Sequence, residues 1–468
     1  MKKCLHTARE NLLLIVLIMQ PFLDVLAYIQ RDYAISAAGY IRLALTVCMP
    51  VYALLLTKRK KALLGSVGII AVFSLLHLLN SLRGGMSGVF ADTKYMLQVI
   101  HMPVLFFSFL FLYEKDALKK QVTVAFIVNA ITSVLLFYLS YSLQSGEYTY
   151  SLFPAGWTGW YVVTNAQSSI LVCLLPLAVY FSMKYCKYYF PLICLPLIYM
   201  YIMNGTKATA LALFAVFVAV AVFVLAELVF VKRDRFRIFT ASMAVVLLAT
   251  SILCYHYCSP RHIINTRTEA DRQQEQNYID EVIDSNGDSD DPSDEPTKDV
   301  YVQFINPNLI DRFGAERVLK AYGDHLNSYD LADMRLKKRV YGQLAWEDCD
   351  FATKLVGLNY TTMQHNGDNF DLENDPQALL YYYGYIGAAL LLLFLGYYIL
   401  RILKQLITHF KDTFTLFNFI LLLTFALQIF GAVYSGYYFR RPNVSIYVMA
   451  VLLLIHCQTE PLFKKNKA

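Results

Sequence analysis

Charge is scarce in this chain. Only 16% of its 468 residues are Asp, Glu, Lys or Arg, where a soluble domain of ordinary composition carries about a quarter. Together with a mean hydropathy of +0.44, that shortage excludes a soluble enzyme and a coiled coil. Organised cysteine is missing too. The nine cysteines contain no CxxC and no metal-ligand spacing, which excludes a zinc module and a disulfide-stapled secreted domain. Strand-like alternation of polar and apolar residues is absent from the apolar runs, so a membrane β-barrel is excluded. No P-loop, GxSxG, HExxH or dinucleotide-binding fingerprint occurs.

What the chain has instead is long apolar runs. About twelve of them approach the 20 residues that a helix needs to cross a hydrocarbon core of about 30 Å. They lie near 11–29, 36–57, 62–81, 94–113, 119–143, 165–183, 187–203, 208–231, 236–255, 377–400, 413–434 and 442–458. The first is no cleaved signal peptide, because Gln20, Pro21 and Asp24 interrupt it and no small-residue cleavage site follows. Cys48, Cys173, Cys186, Cys194, Cys254 and Cys457 sit in these runs or at their ends, as small hydrophobes. Cys258 and Cys349 fall in polar sequence and would be able to pair on an oxidising face.

The connections between runs give an orientation. Alternate ones hold 22 Lys and Arg, among them Lys58–Lys61, Lys115, Lys119, Lys232, Arg233, Arg401 and Lys464, and the other set holds six: Arg31, Arg83, Lys94, Lys207, Arg440 and Arg441. The positive-inside rule then places both termini in the cytoplasm. The net charge of +6 hides a segment, 256–376, with 24 acidic and 12 basic residues, and the same rule places it outside. The expected fold is an all-α polytopic membrane protein. It has a bundle of nine spans over 1–255, a large partly helical extracytoplasmic loop over 256–376, and three further spans over 377–468. In the loop, 268–300 is acidic and expected to be mobile, whereas 301–376 reads as folded. There, Asn308–Asn327 and Asp330–Trp346 have helical patterns, the second with an apolar stripe at Leu331, Met334, Tyr341, Leu344 and Ala345. Basic residues in short clusters between apolar runs do not make a nucleic-acid surface.

Several polar residues are candidates for chemistry, each beside a plainer reading. Asp375-Pro376 looks like a cap and first turn for the tenth span, putting Glu373 at the outer membrane surface; plain complementation of the helix dipole explains the same acids. Arg335, Lys338 and Arg339 crowd one helical turn, which suits a diphosphate or a solvated face balanced by Asp330 and Asp333. Lys207, after the break Asn204-Gly205-Thr206, is either a snorkelling anchor or an anion ligand. Arg440-Arg441 breaks the positive-inside pattern. Arg42 lies inside a span, where an unmatched arginine costs roughly 2.5–3.5 kcal/mol at the bilayer centre, so it should face a partner or an anion. Asp288-Ser-Asp290-Asp291 has the form of a metal–diphosphate motif but sits in the acidic tract. Asp32 is a lone carboxylate.

Taken together these residues resemble the bacterial O-antigen ligase and polysaccharide polymerase superfamily. The family motif at the end of its large loop is His-[Asn/Ser/Gln], nine residues, then Gly-x-x-Gly. Here Glu373-Asn374, nine residues, and Gly384-Tyr-Ile-Gly387 match in all but the first position, and glutamate is the form associated with Gram-positive-type members. Gln20-Pro-Phe-Leu-Asp24, Gly156-Trp157-Thr-Gly-Trp160 with Asn165, and Gly205-Thr-Lys207 look similar as well. The resemblance implies a GT-C-like, inverting and metal-independent glycosyltransferase of the bacterial plasma membrane, serving capsule or other exopolysaccharide, without cofactor. Its donor would be an oligosaccharide on polyprenyl (undecaprenyl) diphosphate, its acceptor a glycan or anchor, and other polysaccharide-assembly proteins would be its partners. Glu373 would be the base, with Arg335 or Arg339 as the loop arginine. Lys207, Lys338, Arg440, Arg441 and Arg42 would bind the donor, and Asn374, Gly384, Gly387, Trp157 and Trp160 would be motif residues. The alternative is a lipid-linked-oligosaccharide flippase or other transporter, which should show two related halves and charges near the midplane.

Overall fold

The computed structural model describes residues 10–33, 36–150, 155–230, 234–265, 299–302, 304–326, 330–331 and 333–461, with residues 273, 277 and 281. Asp288, Asp290 and Asp291 lie outside these residues, as do most of the acidic tract and the basic residues Lys232, Arg233 and Lys464. The chain is an all-α polytopic membrane protein. Its first helices are α1 (Leu12–Ile18), α2 (Gln20–Ile29), α3 (Ala37–Leu56), α4 (Lys60–Ser81), α5 (Met86–Leu112) and α6 (Lys115–Ser142). There follow α7 (Thr164–Cys186), α8 (Phe190–Met203), α9 (Lys207–Phe230) and α10 (Arg235–Cys258). Shorter helices come next, among them α11 (Pro307–Phe313), α12 (Ala315–Tyr322), α13 (Met334–Glu347) and α14 (Phe351–Val356). A two-stranded hairpin, β1 (Gln364–His365) and β2 (Asp368–Asn369), precedes α15 (Asp375–Thr408), α16 (Leu416–Tyr434) and α17 (Pro442–Gln458).

Among the described residues, ten helical stretches are long and apolar enough to cross a membrane. The difference from the expected twelve has a geometric cause. Helices α7 and α8 join through a single 3-10 turn into one stretch, Thr164–Met203. At 1.5 Å per residue the 14 residues of α8 rise only about 21 Å, short of a full crossing, and α17 is likewise short at 17 residues. The helix expected over Asn308–Asn327 is two helices, because Gly314 takes φ 80° between α11 and α12. The next one starts later than expected, at Met334, where the Asp333 side chain accepts the Arg335 N–H.

The chain forms two compact units. The first comprises Met1–Ala71, Met96–His262 and Leu391–Ala468. Its centre is α17, in which every residue from Val444 to Ile455 is at most 2% exposed, together with the largely buried α7. Helices that are apolar all round belong in such a centre. The outer helices turn Leu55, Leu135 and Val229 outward, each more than 60% exposed, a surface suited to lipid rather than water. Charge inside this unit is matched locally. Arg401, 1% exposed, donates to the carbonyls of His456, Thr459 and Glu460, closing the C-terminus of α17.

The second unit comprises Val72–Tyr95 and Ile263–Leu390. Its central feature is a break in α15. Gly384 takes φ 64° and ψ −171°, a conformation open essentially to glycine alone. The Tyr381 carbonyl, freed from the helical ladder, accepts the Leu358 N–H at 2.8 Å. A Cβ at position 384 would lie 2.5 Å from the Leu355 carbonyl carbon and oxygen. The first glycine of the motif therefore makes a kink, and the second a close contact: a Cβ at Gly387 would lie 2.6 Å from Phe73.

Three expectations follow for the purified protein, read as thermal stability in detergent. Gly384→Ala should destabilise by about 3 kcal/mol or more, from a forbidden backbone region plus overpacking. Gly396→Ala, in the same helix with open space around it, should be neutral or gain up to about 1 kcal/mol. Equal effects of the two would refute the kink as the reason for glycine. Arg401→Ala should also lower stability, by about 2–4 kcal/mol, because several buried carbonyls lose their donor at once.

Candidate functional site

In the second unit, burial alternates along the segment after the hairpin: Phe370 and Leu372 are buried at 1% and 2%, whereas Asp371 and Glu373 are half-buried. That is the period of an extended chain, so the two carboxylates project from the face opposite the two apolar side chains. Phe370 stacks flat on Tyr341 of α13, with centroids 3.8 Å apart. Arg312 closes this small core by donating to the Thr362 carbonyl at 2.6 Å and to the Tyr341 hydroxyl. The packing brings the segment under α13.

The result is a compact charge cluster. Arg335 Nε donates to Glu373 Oε2 at 2.7 Å, and Lys338 Nζ donates to Oε1 at 3.2 Å. One carboxylate thus holds two cations, one on each oxygen. Arg339, exposed one residue further along α13, makes no ion pair among the described residues. The phase of α13 decides this: residues three apart, 335 and 338, share the face that meets Glu373. The helix cap differs by one residue from the expected Asp375. Asn374 Oδ1 accepts the Gln377 N–H at 2.9 Å, a side-chain cap, and its Nδ2 donates to Gln377 Oε1 at 3.0 Å, holding the capping amide in place. Asp375 and Pro376 are the first helical residues. Glu373 immediately precedes the cap, where the positive end of the helix favours an anion.

A second buried cluster was not singled out from the sequence. His77 and Asp92 are each 2% exposed and Ser81 1%. Asp92 accepts from the Ser81 hydroxyl and, at 2.6 Å, from the Tyr360 N–H, while His77 Nδ1 meets the Val356 carbonyl at 2.8 Å. Asn80 adds a bond to the Gly357 carbonyl at 3.1 Å. These residues pin 356–360 to the ends of α4 and α5. The available signal was a His inside the apolar run 62–81 and an Asp at the edge of the run 94–113, positions where ionisable residues rarely lack a role. Arg83 extends the attachment outward, and its hydrogen bond, with those from Thr353, holds the Asp350 carboxyl well below the usual carboxylate range. Around the hairpin, His365 Nε2 lies 2.8 Å from Asp311 Oδ2, and the bonds from His365 and Asn366 hold that carboxyl low as well.

The remaining sequence candidates belong to the first unit. Arg42, 6% exposed, has the partner that its burial demands: Nη2 lies 2.8 Å from Asp24 Oδ1, Nε donates to Gln20 Oε1 at 3.1 Å, and Asn443 donates to the same Asp24 oxygen. Arg440, 2% exposed, and Arg441 lie over the ring of Tyr437 at 5.3 and 4.4 Å. Two motif stretches meet here. The Trp157 N–H donates to the Met203 carbonyl at 2.8 Å, and Asn204, fully buried, donates to Gln167, which in turn donates to the Thr158 carbonyl. Trp157 is buried and donates to Ser140, whereas Trp160 reaches Ser145 at the surface. Lys207, at the start of α9, is exposed and makes no ion pair among the described residues. Asp32 is exposed, 3.7 Å from Arg31. Cys258 and Cys349 are free thiols, so the pairing considered for them is not formed. Among the described residues no group of three or more His, Cys, Asp or Glu is arranged to hold a metal ion.

The geometry in the second unit is that of an anion and two cations at a helix start, on a chain built to cross a membrane many times. A family model for O-antigen ligase like membrane proteins matches residues 7–460. No curated protein and no solved structure matches the chain. With nearly the whole sequence covered, the chain belongs to the O-antigen ligase like membrane protein family, as a multi-pass membrane enzyme of cell-surface glycan assembly.

Proposed function

We propose that the chain transfers an oligosaccharide from a polyprenyl-diphosphate carrier to a hydroxyl of an acceptor glycan or anchor, on the extracytoplasmic face of the bacterial plasma membrane. The observation that supports this is the double ion pair of Glu373 with Arg335 and Lys338. Before donor binds, the carboxylate occupies the cations. A diphosphate carries more charge than one carboxylate and offers fork-shaped acceptors to the guanidinium. It draws Arg335 and Lys338 to itself and leaves Glu373 available to the acceptor. The acceptor oxygen then attacks the anomeric carbon as its proton passes to Glu373. The bond from that carbon to the diphosphate oxygen breaks, and its electron pair leaves with the diphosphate. Displacement from the opposite side inverts the anomeric centre.

Cations placed where charge develops stabilise the transition state more in a water-poor site than in bulk. Here they take the part that a divalent metal plays in other diphosphate-using enzymes. Arg335 is the better candidate than Arg339 for the loop arginine, since it already reaches Glu373. Lys207 is a further donor-binding candidate, because no ion pair among the described residues uses its charge. Arg42 is a weaker one, because Asp24 already matches its charge.

The test uses full-length protein and a lipid-linked oligosaccharide donor, with chelator present throughout. Glu373→Gln should slow donor consumption by about 10²-fold or more, on the usual scale for a general base. Arg335→Ala and Lys338→Ala should each slow it by at least tenfold, and Arg339→Ala by less than about threefold. A ladder of products would indicate a polymerase, and a single transfer a ligase. Wild-type rates in Glu373→Gln would refute the assigned base. Movement of donor between leaflets with its diphosphate bond intact would make the protein a flippase.

A further inference from the structure

Beside Glu373, on the same face of the extended segment, is a group of side chains that the transfer chemistry does not use. Tyr95 and Tyr360 stack with centroids 4.8 Å apart and planes 27° off parallel. Tyr382 lies against both, at 4.8 and 5.7 Å. The polar edges of these rings converge on two side chains. Tyr382 donates its hydroxyl to Asp371 Oδ1 at 3.0 Å, and the Tyr95 hydroxyl lies 3.5 Å from the same oxygen. Asn369 Nδ2 donates to the Tyr360 hydroxyl at 3.3 Å, and Asn369 Oδ1 accepts the Asp371 N–H at 3.0 Å. Tyr95, Tyr360 and Asp371 are only half-buried, and Asn369 is exposed.

This combination has a chemical meaning. A pyranose ring has a face of C–H groups that packs on an aromatic face, and an edge of hydroxyls that needs carboxylate and amide partners. A site with rigid aromatic walls and a few converging polar groups is built for a ligand with both kinds of surface. Its place also matters. Asp371 and Glu373 are two residues apart in an extended strand, about 7 Å, which is roughly the width of one sugar ring.

We infer that Tyr95, Tyr360, Asp371 and Asn369 form a pyranose-binding subsite that seats the sugar whose hydroxyl is presented to Glu373. The assignment of that sugar to the acceptor rests on the reaction proposed above; recognition of a pyranose by this group does not. Asp371 accepts from ring hydroxyls and orients them, and the Tyr95–Tyr360 pair supports the ring. A sugar of the donor oligosaccharide has the same chemistry and is the other possible occupant.

Binding and kinetics separate these readings. The binding probe is a set of methyl pyranosides (glucoside, galactoside, rhamnoside and N-acetylglucosaminide), followed by saturation-transfer NMR with the full-length protein in nanodiscs. At least one glycoside should receive saturation at its ring C–H protons. Tyr360→Leu, which keeps apolar bulk without an aromatic face, should lose most of that signal, and Asp371→Asn should weaken it, while Tyr360→Phe should retain it. In the transfer assay Tyr360→Leu should raise KM for one substrate about tenfold or more, with kcat within about threefold of wild type. A rise in acceptor KM identifies the acceptor sugar as the occupant, and a rise in donor KM the donor sugar. A Tyr360→Leu protein that melts like wild type and binds all four glycosides equally well overturns the subsite. So does a wild-type protein that binds none of them. Binding lost in Tyr360→Leu while wild type transfers nothing would leave the subsite standing and remove the proposed reaction instead.

Discussion

A helix that breaks in a membrane protein must find a new partner for every carbonyl it releases, because lipid offers none. At Gly384 that partner is the Leu358 N–H, and much of the second unit follows from this bond. It fixes 355–358 against α15, so the chain leaving α14 has one path. Asp92, His77 and Asn80 hold the same stretch from the other side. The chain then turns through the hairpin and returns beneath α13, where Phe370 stacks on Tyr341. Glu373 meets Arg335 and Lys338 at the end of this path. A glycine eleven residues beyond the carboxylate thus positions it through packing, without touching it.

The charges of the molecule fall into two kinds that their burial distinguishes. Arg42 with Asp24, and Arg401 with its three carbonyls, are shut away from solvent. Removing either partner there leaves a buried group unsatisfied, at a cost of several kcal/mol, so these residues hold helices together. The Arg335 side chain is 49% exposed, and those of Lys338 and Glu373 are 18% exposed. The Arg335 side of the cluster is therefore open to solvent, where an ion pair contributes about 0–1 kcal/mol, whereas the Lys338 side is more enclosed. A partner held this way is exchangeable for another anion, as the proposed binding and release of a diphosphate would require.

The bundle was legible in the sequence because the length of an apolar run is set by bilayer thickness, a constraint that acts locally. Glu373 and Asn374 were legible through the spacing to Gly384 and Gly387. What depends on distant partners was not. The choice of Lys338 over Arg339 rests on the phase of α13 relative to a segment 35 residues away, which helical spacing alone leaves open. The bond of Asp92 to the Tyr360 N–H crosses 268 residues, so nothing near Asp92 in the sequence marked it. The cap moved from Asp375 to Asn374 because both residue types cap well, and Gln377 three residues on completes the pair only for Asn374. Gly314 was visible as a residue, but its φ of 80° was not.

The glutamate at position 373, where the family motif carries histidine, is tied to its cations. Asn374 caps α15 and thereby aims whatever residue precedes it at the face of α13. Neutral histidine in that place would give Arg335 and Lys338 no counter-charge, and protonated histidine would repel both. Glutamate matches them in the resting site and, in the proposed reaction, loses them to the diphosphate when a proton must be accepted. The base and the anion ligands are then one exchangeable set. A histidine form of the same site has to anchor its cations elsewhere, so the residue at 373 and the residues on α13 are expected to change together rather than singly.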